Sequence, residues 1–228
     1  MSLFHKAERQ RAKLRLAITG PAGSGKTYGA LLVAFGIGGK IALLDTENGS
    51  GDLYASLGDY DVCTMHAPYT ITKYITAIKE AEKTGYDILI IDSLSHAWNG
   101  EGGLLDVHGS IVDSGRTSNS WAAWRQVTPA QNRLIECILN SNCHVIATMR
   151  SKTDYAQIEN ERGKTEIRKV GLAPVQRDGI DYEFTTVFDL NVNHTVSVSK
   201  DRTSIFDGQI FTLSRETGET LKKWLDNE

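Results

Sequence analysis

The sequence is short of several things, and each shortage excludes something. Only three of its 228 residues are cysteine: Cys63, Cys137 and Cys143. An odd, scattered set builds no disulfide framework and suits a reducing cytosol. Cys137, Cys143 and His144 stand near one another, but no fourth residue completes a zinc-like spacing, so buried thiols are expected rather than a metal site. No apolar run approaches a membrane span, and the amino terminus lacks a signal-peptide core. The expectation is a soluble, cytoplasmic protein with no membrane partner. Net positive charge is missing too, since 25 basic residues face 28 acidic ones. No global field draws the chain to nucleic acid, so any such surface has to be local. Repeats, low-complexity linkers and signs of a second domain are also lacking. One domain over residues 14–228 is expected, after a basic extension over residues 1–13 that carries Lys6, Arg9, Arg11 and Lys13.

What the chain does have is an alternation of short apolar runs with helical patterns, the signature of an α/β fold with a mostly parallel sheet flanked by helices. Strands are expected near 14–19, 40–45, 62–65, 87–92 and 144–149. A helix follows the first over 26–36, and Ile71, Tyr74, Ile75, Ile78 and Ala81 mark another that Gly85 closes. A helix containing Trp121, Trp124, Leu134, Ile135 and Ile138 should break near Pro129. Residues 184–191 and 195–200 read as a C-terminal β-hairpin, followed by a strand at 210–213 and a helix at 217–226. Two stretches resist this reading. Residues 97–120 are rich in glycine and serine, and residues 150–180 are charged with little apolar periodicity.

Gly20-Pro21-Ala22-Gly23-Ser24-Gly25-Lys26-Thr27 satisfies G-x-x-x-x-G-K-[ST] between an apolar strand and a helix that opens with Tyr28. Such a turn gathers backbone N–H groups around one anion at the positive end of a helix dipole. Gly23 and Gly25 let the backbone approach phosphate without a Cβ in the way. Lys26 is expected on the β- and γ-phosphates of a bound nucleoside triphosphate, and the Thr27 hydroxyl on Mg²⁺. Asp92 ends the most apolar strand and is the expected second anchor of Mg²⁺. Ser93 follows it, so the base that activates water has to come from elsewhere. Glu47, in Asp45-Thr46-Glu47 at the end of the second strand, is the candidate; the alternative is that Asp45 or Glu47 only caps the next turn. Thr148 and Arg150, ending the strand expected beside the phosphate-loop strand, suit a γ-phosphate sensor better than Met149 does.

Taken in order, these pieces resemble the RecA-like core of the recombinase ATPases, over about residues 14–213. That family has a strand ending Asp-x-Glu with a catalytic glutamate, as in Asp45-Thr46-Glu47, and a Walker B strand ending Asp-Ser, as in Asp92-Ser93. The resemblance implies ATP as the nucleotide. It implies two DNA-binding loops, where 97–120 and 150–180 lie, and a hairpin strand whose paired cations reach a neighbouring subunit's ATP. Lys200 and Arg202 in Val198-Ser199-Lys200-Asp201-Arg202 take that place. More narrowly, residues 149–155, 175–179 and 199–203 are similar to core-only ATPases encoded by phages and prophages, some of which act in single-strand annealing and recombination. No coupling glutamine stands at Thr148-Met149-Arg150, and no polymerisation segment is evident, so a ring or short homo-oligomeric filament is expected rather than a long one.

Single-stranded DNA is the expected partner. Segment 150–180 offers Arg150, Lys152, Arg162, Lys164, Arg168, Lys169 and Arg177, with Tyr155 to stack on a base, yet Asp154, Glu159, Glu161, Glu166 and Asp178 interrupt them. A solvated hairpin or lid would look the same. Arg116 lies in the other stretch, where plain surface disorder is an equal reading. Trp121 and Trp124 fit core or interface positions better than base-stacking ones. The rival functions are a nucleotide-gated DNA-binding or annealing protein with negligible turnover, and a small-molecule kinase, for which no acceptor motif is visible. A partition-type ATPase is disfavoured, because Pro21 and Ala22 stand where its extra lysine would fall.

Overall fold

Alternation within each central strand sends successive residues to opposite faces of one sheet. In β4 (Ile88–Asp92), Ile88 and Ile90 join one core while Leu89 and Ile91 join the other. The computed structural model describes Lys6 and residues 12–115, 119–159 and 165–226, with the backbone alone for 153–159 and 165–171. Most of the basic extension, together with Arg116, Arg162 and Lys164, lies outside the described residues. The side chains of Tyr155, Arg168 and Lys169 are likewise outside the description.

The remaining strands are β1 (Arg15–Gly20), β2 (Ile41–Asp45), β3 (Asp61–Thr64), β5 (His144–Glu159), β6 (Thr165–Pro174), β7 (Thr186–Leu190), β8 (Thr195–Asp201) and β9 (Ile210–Thr212). The sheet runs β3-β2-β4-β5-β1-β7-β8-β9, with β6 paired to the outer part of β5. From β3 to β7 every pairing is parallel; β8 and β9 complete an antiparallel edge. This is a mixed α/β, mostly parallel P-loop NTPase core. The strand bearing Thr148 and Arg150 does lie beside the phosphate-loop strand, with Ile18 opposite Thr148 and Gly20 opposite Arg150.

Helices cover both faces. On one lie α1 (Lys26–Ile37) and α6 (Arg215–Asp226), crossing where Gly36 meets the Arg215 carbonyl and Gly218 meets the Val33 carbonyl so closely that neither site has room for a Cβ. On the other face lie α2 (Ile71–Thr84), α4 (Leu104–Asp113) and α5 (Ser120–Leu139). Thr70 caps α2 at its start by accepting from the Lys73 N–H, and Gly85 ends it in a left-handed conformation.

Two expectations are corrected, and for residues 150–180 the structure takes up the hairpin that the sequence left as an alternative. Residues 97–120 are no long connection: they contain α3 (His96–Asn99) and α4, and a Cβ on Gly100 or Gly103 would press on the His96 carbonyl. Glycine there serves close packing, which composition alone cannot tell from looseness. Pro129 does not break α5, which runs through it; Ala123 and Val127 on one side and Leu134 and Ile138 on the other are buried, and their burial offsets a proline cost of about 3 kcal/mol. Residues 150–180 begin as the far half of β5 and return as β6, an antiparallel hairpin with a register shift between Asp154 and Tyr155.

Candidate nucleotide-binding site

The phosphate loop falls at the carboxyl edge of the parallel strands, where such sheets bind ligands. Gly23 and Gly25 have φ values of 75° and 88°, and nothing lies within 4 Å of where a Gly23 Cβ would sit. Both are backbone conformations that an L side chain would strain. Within this turn the Lys26 Nζ donates to the carbonyls of Gly20 and Pro21, at 3.0 and 2.9 Å. Burial lowers the pKa of this lysine, with the charges of Asp92 and Glu47 opposing. The Ser24 hydroxyl is buried and has no hydrogen-bond partner among the described residues. A folded-back ammonium, an orphaned hydroxyl and an open left-handed turn fit a polyphosphate. Ala22 and Gly23 stand exposed on the rim, and Pro21 is half-buried.

Thr27 and Asp92 meet: the Thr27 hydroxyl donates to the Asp92 Oδ2 at 2.5 Å, while the Thr148 hydroxyl donates to Oδ1. Asp92 is 1% exposed, and burial raises its pKa against the pull of these two hydroxyls. A buried carboxylate with only hydroxyl donors around it suits a cation. Thr27 and Asp92 are therefore the residues that would hold Mg²⁺. Thr148 supports Asp92 and points away from a sensor's role.

At the end of β2 the structure separates two carboxylates that the sequence left as alternatives. Asp45 is fully buried and caps the following turn, accepting from the N–H groups of Glu47 (2.6 Å) and Gly51 (3.1 Å). Glu47 is free of that duty. Its two oxygens accept from the Arg150 Nε at 3.0 Å and a terminal guanidinium nitrogen at 2.5 Å, a bidentate pair. Burial pushes the Glu47 pKa up, but the hydrogen bonds and charge of Arg150 outweigh it and hold the carboxyl below its ordinary value. Arg150 rises in turn, chiefly through the same hydrogen bonds.

Beneath the pair, the Thr46 hydroxyl accepts from the Ser93 N–H at 2.8 Å and lies 2.7 Å from the His96 Nδ1, while the His96 ring stacks on Tyr69 at 4.8 Å. This cluster ties the ends of β2 and β4 together. His96 is a residue that sequence reasoning left without a role.

His194 is a second. The turn Asn191–His194 between β7 and β8 folds over the phosphate loop, and the His194 Nδ1 lies 3.0 Å from the Ser24 carbonyl oxygen. With Gly23, Gly25, Tyr28, Tyr54, Leu190, Thr212 and Leu213, His194 lines a cavity of about 450 Å³ beside the loop. Tyr28 and Tyr54 meet there edge to face at 5.8 Å. No local pattern marked His194, since its place follows from the parallel pairing of β7 with β1, which obliges the following turn to reach the same edge as the loop.

The same geometry carries Lys200 and Arg202 to the opposite edge. Lys200 pairs with Val187, which pairs with Ala17, about 10 Å back along the strands from Gly20 and two strands across. The Lys200 amine donates to the carbonyls of Asp181 and Tyr182, and the Arg202 guanidinium donates to that of Tyr182. Neither touches the phosphate loop of its own chain.

Two tryptophans divide. Trp124 is half-buried, as expected of a core or interface residue, but Trp121 is 83% exposed.

No curated protein matches the chain in sequence. Among the described residues, no helix is long and apolar enough to cross a membrane. A family model described as an AAA domain matches residues 12–222. With a phosphate loop at the carboxyl edge of a parallel sheet, and that match over nearly its whole length, this chain belongs to the AAA domain family of P-loop ATPases.

Proposed function

We propose that this chain is a Mg²⁺-dependent ATPase with a RecA-like core that acts on single-stranded DNA, in phage-type recombination or annealing, as a ring or short filament. The meeting of Thr27 and the buried Asp92 below the folded-back Lys26 carries the catalytic part of this reading. Mg²⁺ bound there would neutralise charge developing on the phosphates. The backbone of Gly23 to Lys26 cradles the β-phosphate, and the Lys26 amine leaves its carbonyls for the β/γ oxygens. The nucleobase enters the cavity between Tyr28, Tyr54 and His194. Glu47 orients the attacking water and takes its proton.

A neighbouring subunit supplies Lys200 and Arg202 to the γ-phosphate. Their distance from their own phosphate loop supports a role in trans. Mixing inactive Lys200→Ala/Arg202→Ala subunits with inactive Lys26→Ala subunits tests this, because composite sites regain turnover only if the cations act across the boundary. No recovery in oligomers that have exchanged subunits rules it out.

One observation favours a second reading, in which nucleotide gates assembly or DNA binding with little turnover. Glu47 stands closed off by Arg150 and is a weakened base while so held. Hydrolysis measured with and without single-stranded DNA separates the two readings. Strong stimulation supports the ATPase, and tight nucleotide binding without turnover under either condition supports the gated binder.

A further inference from the structure

The exposed ring of Trp121 stands in the first turn of α5, on a helix start fixed by Asn119, whose side chain accepts from the Ala122 N–H at 2.9 Å. A large flat ring left 83% open to water is unusual for a residue that ordinarily buries most of its surface. Its surroundings are specific. Trp121, Trp124, Arg125, Thr128, Pro129 and Arg177 line one groove of about 430 Å³, which among the described residues contains two guanidinium groups and no carboxylate.

The groove is also built rather than incidental. The Arg177 guanidinium donates to the Thr128 hydroxyl at 3.2 Å and lies 6.0 Å from the centre of the Trp124 ring. Trp124 is wedged between His108, at 4.1 Å, and Trp98, at 5.6 Å, both stacked. One wall is therefore held rigid, while Trp121 and Arg125, one turn apart on the same helix, remain exposed. Among the described residues Arg125 makes no ion pair.

We infer that this groove is a binding face for single-stranded nucleic acid, with Trp121 stacking on a base and Arg125 and Arg177 meeting the flanking phosphates. A chain of net charge −3 carries here a local site of the opposite sign, which suits a polyanion. Single-stranded nucleic acid is the class that offers a flat ring and an anion in every repeat, both accessible together. A duplex keeps its bases stacked and offers Trp121 only phosphates. The inference rests on the proposal that the protein acts on single strands, and gives that proposal a place on the molecule away from the ATP site.

The test is binding of a fluorescently labelled oligothymidylate by the full-length protein, with thermal melting as the check that each variant folds. Trp121→Ala should weaken binding about tenfold or more, and Trp121→Phe should recover much of the loss. Arg125→Ala should weaken it less and reduce the slope of log affinity against log salt by about 0.7. Trp121 fluorescence should be quenched on binding, and duplex of the same length should compete poorly. If the wild type binds oligothymidylate and Trp121→Ala/Arg125→Ala binds it equally well, the groove is wrong while the single-strand reading survives. Equal competition by duplex, or a change in oligomer size with no change in affinity, also overturns it. If the wild type binds no oligothymidylate with or without ATP, both fall.

Discussion

Two arginines, one buried and one exposed, stand at opposite edges of the same sheet and end in different chemistry. At the amino edge, Arg15 is 6% exposed and donates to the backbone carbonyls of Leu14, Leu139, Ser141 and Cys143. At the carboxyl edge, Arg150 donates to the carboxylate of Glu47. Carbonyls of a helix end and a strand start cannot leave, so Arg15 is fixed for as long as the fold lasts. A carboxylate partner can be outcompeted, and a triphosphate brings more charge than Glu47 does. The same side chain thus serves as a permanent tie in one place and as an exchangeable contact in the other.

The largest expected effect concerns the exchangeable edge. Lys26→Ala and Glu47→Gln should each reduce ATP turnover by about 10²-fold or more, with thermal melting little changed. Glu47→Gln should still bind nucleotide, as read by a fluorescent ATP analogue. Wild-type turnover in Lys26→Ala would mean that the phosphate loop is not the active site. Unreduced turnover in Glu47→Gln would direct attention to another carboxylate, though Asp45 is already committed to its turn.

The next effect divides the arginines. Arg15→Met removes the guanidinium from the buried carbonyls of Ser141 and Cys143 and from those of Leu14 and Leu139, and should cost about 3 kcal/mol in urea unfolding. Arg150→Met removes a pair that is part-exposed on the arginine side and should stay within about 1 kcal/mol, while altering turnover. Equal losses would erase the distinction between the two edges.

A smaller effect comes from His144, beside Arg15, whose Nδ1 accepts from the Leu14 N–H at 3.0 Å. Burial, followed by the charges of Lys13 and Arg15, pushes its pKa down to about 4 from an ordinary 6.5. Between those values the unfolded chain takes up a proton that the folded chain refuses. Stability is therefore full above about pH 6.5, falls as the pH drops, and loses nothing further from this group below about pH 4. The contribution is about 2 kcal/mol, allowing for partial solvent access. His144→Asn keeps an acceptor near the same place but cannot be protonated, so its urea midpoint should vary less between pH 6.5 and 4. An unchanged pH dependence would assign the slope to other groups.

The sequence disclosed what short segments decide alone. The phosphate loop, Asp92 at a strand end, Glu47 two residues past Asp45 and the capped helix over Ile71–Thr84 all follow from local pattern. It disclosed less where distant segments meet. Arg15 gave no sign of its burial, because nothing nearby in the sequence shows the carbonyls 124 to 128 residues away that it reaches. His194 gained its place over the phosphate loop from strand topology, and Glu47 gained Arg150 from the order of β2, β4 and β5. Glycine-rich residues 97–120 misled for a different reason, since glycine answers both to mobility and to close packing.

One strand leaves the sheet without interruption. β5 pairs with β1 up to Arg150, the hairpin pairing starts at Ser151, and the Val175 N–H closes its base on the Arg150 carbonyl at 2.6 Å. The protein therefore has a lever whose fulcrum is the residue that holds Glu47. From Arg150 to Glu159 is nine residues, about 30 Å at the usual rise of a strand. A rotation of about 5° at the fulcrum would sweep the far end through about 2.6 Å at that radius. A rotation too small to unseat a strand at Arg150 thus becomes, at the far end of the hairpin, a shift of about half the spacing between neighbouring strands.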